Sequence, residues 1–422
     1  MTSQSAITIF QDLTSAGEAF EKNEAGAREA LIDHSRALIA ALEIPSEFMQ
    51  RTFWAEVTMI FFFSSNRCST VANHASSFQP AASAIIRLGM DVKLFQHLRD
   101  AGEAGISAER LGAKTGVDTF LLQRLARHLV AMHVIQFHDG AFHATELCKN
   151  LAAENYEHSI YNCYDVARPS FNGWPQYSKD TGYKAPTPGG IDGPFQAAHK
   201  TQLAFFEWIT ATPPQLEYFD SFMSAYRAGK PAWYEPGFYP VSERLISGFH
   251  ASISDVLLVD VGGGRGHDVA SFTASLSSPT GRTILQDREP VIAGVIASGN
   301  ERNFEAQTHD FFTPQPIRFA RAYYTHSVCH DWNDEDSIKI MKNLATALKK
   351  GYSRVLLNEI VIKEEKPALA ATSMDMMMLA HLGVRERTEN DWIILLEQAG
   401  LKIVKIYTYA GVAESLIEAE LA

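Results

Sequence analysis

From residue 255 onward the chain alternates short apolar runs with stretches of helical spacing. Val256-Leu257-Leu258-Val259 leads without a polar residue into Asp260-Val261, as expected of a strand buried on both faces. Arg282-Thr283-Ile284-Leu285-Gln286, Ala322-Tyr323-Tyr324-Thr325 and Arg354-Val355-Leu356-Leu357-Asn358 repeat the pattern. Apolar positions at helical spacing fill the gaps, notably over 334–348 and 388–399. Such alternation predicts an α/β domain, a Rossmann-like parallel sheet covered by helices on both faces. Residues 402–409 and 415–419, linked through Ala410-Gly411, predict a terminal antiparallel hairpin.

The N-terminal part reads differently. Residues 25–42 carry apolar positions at helical spacing, and Ile44-Pro45 ends that stretch. Residues 84–150 predict a small, mainly helical domain of winged-helix character. Ser107 and Asp118 are placed to cap two helices, the second holding Leu121, Leu122, Leu125 and Leu129. Val134 to Phe137, a turn at His138-Asp139-Gly140, and Ala141 to Ala144 predict a hairpin wing. Residues 151–245 are rich in aromatic side chains and proline. They form a loop over 183–190, a return to helix over 194–209, and a large apolar surface from Phe205, Phe206, Trp208, Tyr218, Phe219, Phe222, Met223 and Trp233. Core packing and a roof over an apolar pocket both fit that surface. The expected division is therefore 1–150, a helical dimerisation domain; 151–245, an aromatic linker and substrate region; and 246–422, the sheet domain.

Residues 57–79 interrupt this order. Without them, 51–56 and 80–87 would join as one helix-proline-helix passage. The segment is rich in Ser, Phe and Asn and lacks steady periodicity. Its 23 residues correspond to 69 nucleotides that can begin with GT at Val57, end with AG at Gln79, and spell GCTAAC at Ala72-Asn73. An ordinary surface insertion and a translated, unspliced short intron both account for it.

The first strand of the sheet domain runs into Asp260-Val261-Gly262-Gly263-Gly264-Arg265-Gly266. Ligands of open α/β sheets bind at the carboxyl ends of strands, and glycines allow tight turns and close approach. A dinucleotide site spaces its glycines G-x-G-x-x-G; here the third comes one residue early and an acid precedes the first. An acid at that place suits a cationic ligand better than a diphosphate, which points to S-adenosylmethionine. Asp287, after the second strand, is placed to accept hydrogen bonds from ribose hydroxyls. Asp310 and Phe311, after a short third strand, are placed to meet an adenine amino group and stack on its ring.

His330 follows the fourth strand, in Cys329-His330-Asp331-Trp332. Glu359 is expected at the end of the next strand, and Glu386 just before a helix that Thr388 caps. A histidine with two acids forms a base and its supports: His330 takes a hydroxyl proton while Glu359 and Glu386 orient and stabilise the ring. Methyl transfer by this route needs alignment and a dry pocket, and no metal. Met374 and Met378 stand one helical turn apart and share a face, which fits both plain core filling and the lining of a substrate pocket; they are candidate substrate-lining residues.

Composition narrows the setting. A net charge of −12 excludes a general nucleic-acid binder and an anionic-membrane binder. No apolar run reaches the ~20 residues of a membrane span. The four cysteines lie far apart without a CxxC pair, which fits a reducing, cytoplasmic setting and offers no zinc pattern.

These motifs together resemble the plant- and fungal-type small-molecule O-methyltransferases that use S-adenosylmethionine. The match spans about 256–420: the glycine motif, Gln286-Asp287, His309-Asp310-Phe311-Phe312, Cys329-His330-Asp331-Trp332, Glu359, Met376-Met377-Met378, Arg385-Glu386-Arg387-Thr388 and Ser415-Leu416-Ile417-Glu418-Ala419. Residues 80–150 are similar, more loosely, to that family's dimerisation domain. The aromatic middle resembles fungal members of biosynthetic clusters. The resemblance implies a homodimer, a small-molecule substrate such as an aromatic or polyketide-type metabolite, His330 as base, and Glu359 and Glu386 as its supports. His326 departs from it, standing where a bulkier cation is common, and His133 stands where glycine is expected; both are candidate substrate contacts. A related fungal branch keeps the cofactor but runs pericyclic reactions or dehydrations, with the sulfonium acting electrostatically. The retained His330 favours methyl transfer over that alternative. A regulatory protein built on the winged helix is disfavoured by the low basic charge.

Sequencing the transcript across codons 57–79 decides between insertion and intron. An insertion predicts a messenger that keeps all 69 nucleotides; an intron predicts one that lacks them.

Overall fold

The computed structural model describes residues 6–22, 24, 26–53, 61–64, 67–70, 79–277, 280–299, 301–409 and 412–422. Two compact units form, one from Met1–Pro169 with Phe206–Gly229, the other from Ser170–Phe205 with Lys230–Ala422. Residues 151–245 thus contribute to both. Among the described residues no helix is long and apolar enough to cross a membrane.

In the first unit, helices Ala6–Glu21 and Ala27–Leu42 pack on each other through Leu13, Ala16 and Leu31. Strands β1 (Phe61–Ser64) and β2 (Arg67–Thr70) pair antiparallel. The remainder of the 57–79 interruption, apart from Gln79 at the start of helix Gln79–Asp91, lies outside the described residues. Helices Ala108–Thr115 and Thr119–Ala131 begin at the expected caps: Ser107 accepts from the Arg110 N–H and Asp118 from the Leu121 N–H. Strands β3 (Ile135–His138) and β4 (Ala141–Ala144) follow as a hairpin, with Ile106 bridged to Phe142 beside it. Its turn is two residues, Asp139 and Gly140, both at positive φ, so His138 belongs to the strand. Phe48, Ile86, Phe95, Leu111, Leu122 and Leu129 lie in the core beneath these elements.

The second unit is built on a mixed sheet. Its strands are β5 (Val256–Val261), β6 (Arg282–Asp287), β7 (Glu305–Thr308), β8 (Ala322–His326), β9 (Arg354–Ile362), β10 (Arg387–Thr388), β11 (Leu401–Thr408) and β12 (Glu414–Leu421). They lie in the order β11-β12-β9-β8-β5-β6-β7, with β10 alongside β9. Strands β5 to β9 pair parallel, and β12 joins antiparallel with β11 outside it, the expected terminal hairpin. Its Ala410-Gly411 link lies outside the described residues. This is a Rossmann-like sheet. Every residue of β5 is buried, because helices cover both faces of a central parallel strand.

Two boundaries differ from expectation. Strand β9 runs to Ile362, so Glu359 lies within it; pairing with β12 on one side and β10 on the other prolongs it. The helix expected over 194–209 is broken into Pro194–His199 and Phe205–Ala211, because Lys200 adopts left-handed backbone (φ 51°). Of the aromatic surface, Trp233 stacks on Phe272 and Tyr324 within this unit's core.

The fully buried Glu418 on β12 pairs with Arg244 at 2.6 Å and with Arg354 at 3.1 Å. Removing it leaves Arg244 without this buried partner and Arg354 with Glu420 alone, beside an apolar core. Glu418→Ala is expected to cost roughly 3 kcal/mol, the lower part of the range for breaking a buried pair because Arg244 is partly exposed, read as a lower midpoint in urea unfolding.

Candidate active site

The strand order reverses between β5 and β8, and in open sheets a crevice forms at such a point beyond the strand ends. Strand β5 ends there, and the chain turns through Gly262, Gly264 and Gly266 at φ 76°, 58° and 81°. Gly263 has ordinary backbone, but a Cβ on it would lie 2.5 Å from the carboxylate carbon of Asp260. The acid is folded over that glycine, and only glycine leaves it room. The Gly262 N–H donates to the Gln286 carbonyl (2.7 Å) and the Gly264 N–H to Asp287 Oδ2 (2.8 Å). The end of β6 therefore braces the loop. The Phe311 ring rests against Gly262, and Asp310 Oδ1 accepts the Phe312 N–H in the turn that presents it. Asp260, the four glycines, Asp287 and Phe311 are thus brought together, with Asp310 at the exposed start of that turn.

Asp260 is fully buried, and neither of its oxygens makes a hydrogen bond of normal geometry. Burial first, then the charges of Asp268 and Asp287, push its pKa well above the usual carboxylate range; the Val269 N–H offsets this only in part. A buried carboxyl so placed is completed by a cation.

His330 sits in the turn Cys329–Asp331 after β8 and is 8% exposed. Its Nδ1 lies 2.8 Å from Glu386 Oε1. Glu386 precedes β10, whose pairing with the end of β9 carries it beside Glu359. Glu359 Oε1 accepts the N–H groups of Val328 (3.0 Å) and Cys329 (2.8 Å), holding the turn itself. Burial opposes a charged imidazole, yet Glu386, Asp331 and Glu359 together raise the His330 pKa to about 10. Burial also raises Glu359, and it takes Asp331, 3.6 Å from His330 Nε2, up to about 7. His330, Glu359 and Glu386 offer donor atoms within 4.8 Å of one another, a spacing that also suits a metal ion.

Met374 and Met378 are both buried on helix Leu369–Leu382, which packs on the His330 turn, while Met376 faces outward. His326 Nδ1 meets Asp268 Oδ2 at 2.6 Å, and the same oxygen accepts from Tyr324 Oη. His133 lies in the other unit, at φ 59°.

Four residues escaped the sequence reading. Asp331 faces the second nitrogen of His330, and its place next to that residue was the available signal. Asp268 lies in the first turn after Gly266 and joins the acids around the loop. Asp375 accepts the Glu386 N–H (2.8 Å). Arg387 is almost fully buried and donates to the carbonyls of Cys329 (2.7 Å) and Trp332 (2.9 Å), clamping both ends of the turn. Nothing local in the sequence marks Asp375 or Arg387 for these roles.

A family model described as "O-methyltransferase domain" matches residues 242–402. The chain is 61% identical over 422 residues, the whole of both chains, to the O-methyltransferase mpaG of Penicillium roqueforti (strain FM164). It is similar to the solved structure of LepI in complex with SAM, with TM-score 0.77 and 25% identity over 99% of this chain and 100% of that one. It is also similar to a structure described as "A Pericyclic Reaction enzyme", with TM-score 0.76 and 25% identity over 97% and 98% of the two chains.

Glu386→Gln removes the largest charge favouring the imidazolium. The His330 titration, followed by NMR of its ring, is expected to fall from about 10 by at least one pH unit toward the ordinary 6.5. Because the folded value is raised, the stability drawn from this contact is full below pH 6.5 and fades as pH climbs through about 10. The variant is expected to lose that alkaline decline.

Proposed function

The chain belongs to the O-methyltransferase family, and on that premise we propose that it moves the methyl group of S-adenosylmethionine onto a hydroxyl of a small aromatic, polyketide-type metabolite, with His330 as general base. The observation that carries this reading is the buried contact between His330 Nδ1 and Glu386. With one nitrogen engaged by a carboxylate, only Nε2 is left to receive a proton from the acceptor hydroxyl.

Asp260 and the glycines 262, 263, 264 and 266 suit the cationic amino-acid end of the cofactor, the buried carboxyl supplying its counter-charge. Asp287, Asp310 and Phe311 suit the ribose and adenine. S-adenosylmethionine, when bound, supplies an electrophilic methyl on a sulfonium. In the ligand-free chain His330 holds its proton at neutral pH. It gives that proton up more readily when a second positive charge shares the site. Glu359 keeps the turn in place and Glu386 fixes the ring. Met374 and Met378 form an apolar wall for the acceptor. His326 contributes by holding Asp268 beside the loop, and His133 enters as a substrate contact through the family resemblance.

A second reading keeps the methyl on the cofactor and uses its charge for a rearrangement or dehydration; the likeness to "A Pericyclic Reaction enzyme" supports it. The retained His330 with its two acids favours transfer. The same proposal takes the protein as a cytoplasmic homodimer, supported by exposed Ile7 and Phe10 on the first helix.

Methyl-labelled cofactor, incubated with extract from a host lacking the gene, is expected to pass label into one metabolite. Rearranged product without S-adenosylhomocysteine would support the second reading instead. His330→Ala is expected to lose about 10²–10⁴-fold in turnover, and full activity in that variant contradicts the base role. Gly263→Ala, whose Cβ displaces the Asp260 carboxyl, is expected to weaken cofactor binding in calorimetry by about tenfold or more.

A further inference from the structure

His381 lies one turn beyond Met377 on helix Leu369–Leu382 and is 5% exposed. Its Nδ1 meets the Met377 carbonyl at 2.8 Å. A carbonyl only accepts, so Nδ1 carries the hydrogen. Burial, with the charge of His199 adding to it, takes the pKa down to about 4, and the ring is neutral. Nε2 is then a bare lone pair, and among the described residues no donor meets it.

The surroundings are apolar. Phe171, Phe195 and Phe205 enclose the imidazole with ring centroids 6.0, 5.7 and 5.5 Å away, Phe171 and Phe205 edge-on. Packing alone would be served as well by a phenylalanine, whereas a lone pair among apolar rings calls for a donor. Met374, Met378 and His381 are spaced four and three residues apart, which puts them on one helical face. The helix packs on the His330 turn, and its Asp375 anchors the Glu386 backbone. The imidazole therefore shares a helix face with the proposed apolar wall, on a helix that packs against the His330 turn.

We propose that His381 is a specificity-determining residue whose neutral Nε2 accepts a hydrogen bond from a donor group of the aromatic acceptor, such as a second phenolic hydroxyl, away from the oxygen that is methylated. This rests on the reading of the site as an O-methyltransferase for a hydroxylated aromatic. The fixed tautomer makes the position selective: it welcomes a hydroxyl and leaves an ether at that place without a partner.

The test uses the full chain and the metabolite that accumulates in the host lacking the gene. His381→Phe keeps the ring shape and removes the acceptor, whereas His381→Gln restores an acceptor oxygen. His381→Phe is expected to raise the metabolite's KM, and its Kd by calorimetry, by about tenfold, the worth of one neutral hydrogen bond, with kcat and cofactor Kd little changed. His381→Gln is expected to recover most of that loss. Both variants should melt within a few degrees of the parent chain. A metabolite Kd in His381→Phe within twofold of the parent, or equal losses in both variants, overturns the proposal. If the parent protein binds the metabolite but passes it no label, the methyl-transfer reading fails while the calorimetric comparison still judges His381.

Discussion

A buried imidazole facing a buried carboxylate is the constraint on which the rest of the sheet unit turns. His330 and Glu386 are both almost without solvent, and each would be unfavourable there alone. The 2.8 Å contact engages Nδ1, and Asp331 lies 3.6 Å from the other imidazole nitrogen. Much of the local architecture keeps that contact in register. Strand β10 lays Glu386 alongside β9, Glu359 collects the backbone N–H groups of the His330 turn, and Arg387 grips the turn's carbonyls from the opposite side. A buried arginine is a demanding way to hold a turn, but its rigid fork engages both ends at once.

At the other end of the crevice three carboxyl groups converge. Asp260, Asp268 and Asp287 gather around the glycine loop, where Asp268 Oδ2 accepts from Tyr324 Oη and meets His326 Nδ1. This gathering of acids has a chemical consequence. A cation entering beside the loop relieves the acids and disfavours the proton on His330, so binding and base activation pull the same way.

The glycine loop and its acid could be read directly, because backbone turns and close approach select glycine wherever they occur. All four glycines have a geometric reason, three through left-handed backbone and Gly263 through contact with the Asp260 carboxyl. The alternation of strands and helices was equally legible, as was the closing hairpin, since burial on two faces writes continuous apolar runs. The caps at Ser107, Asp118 and Thr388 are local hydrogen bonds, and they formed where their residue types stood. Glu359 was placed at a strand end because its apolar run stops there; pairing with β12 and β10 carried the strand further. Lys200 broke an expected helix through a left-handed residue that no propensity announces.

By itself, then, the sequence determined the sheet, the glycine loop and the places of His330, Glu359 and Glu386 beside one another's strand ends, because each depends on spacing within a short stretch or on a residue type with few uses. Only the tertiary structure decided what surrounds those groups. Asp331, Asp375, Arg387 and His381 act across gaps in the chain or by the direction a single side chain takes, and charge, tautomer and pKa follow from neighbours in space. His326 shows this plainly: the sequence marked it as a candidate substrate contact, and only the fold showed that its Nδ1 meets the carboxylate of Asp268, from another element.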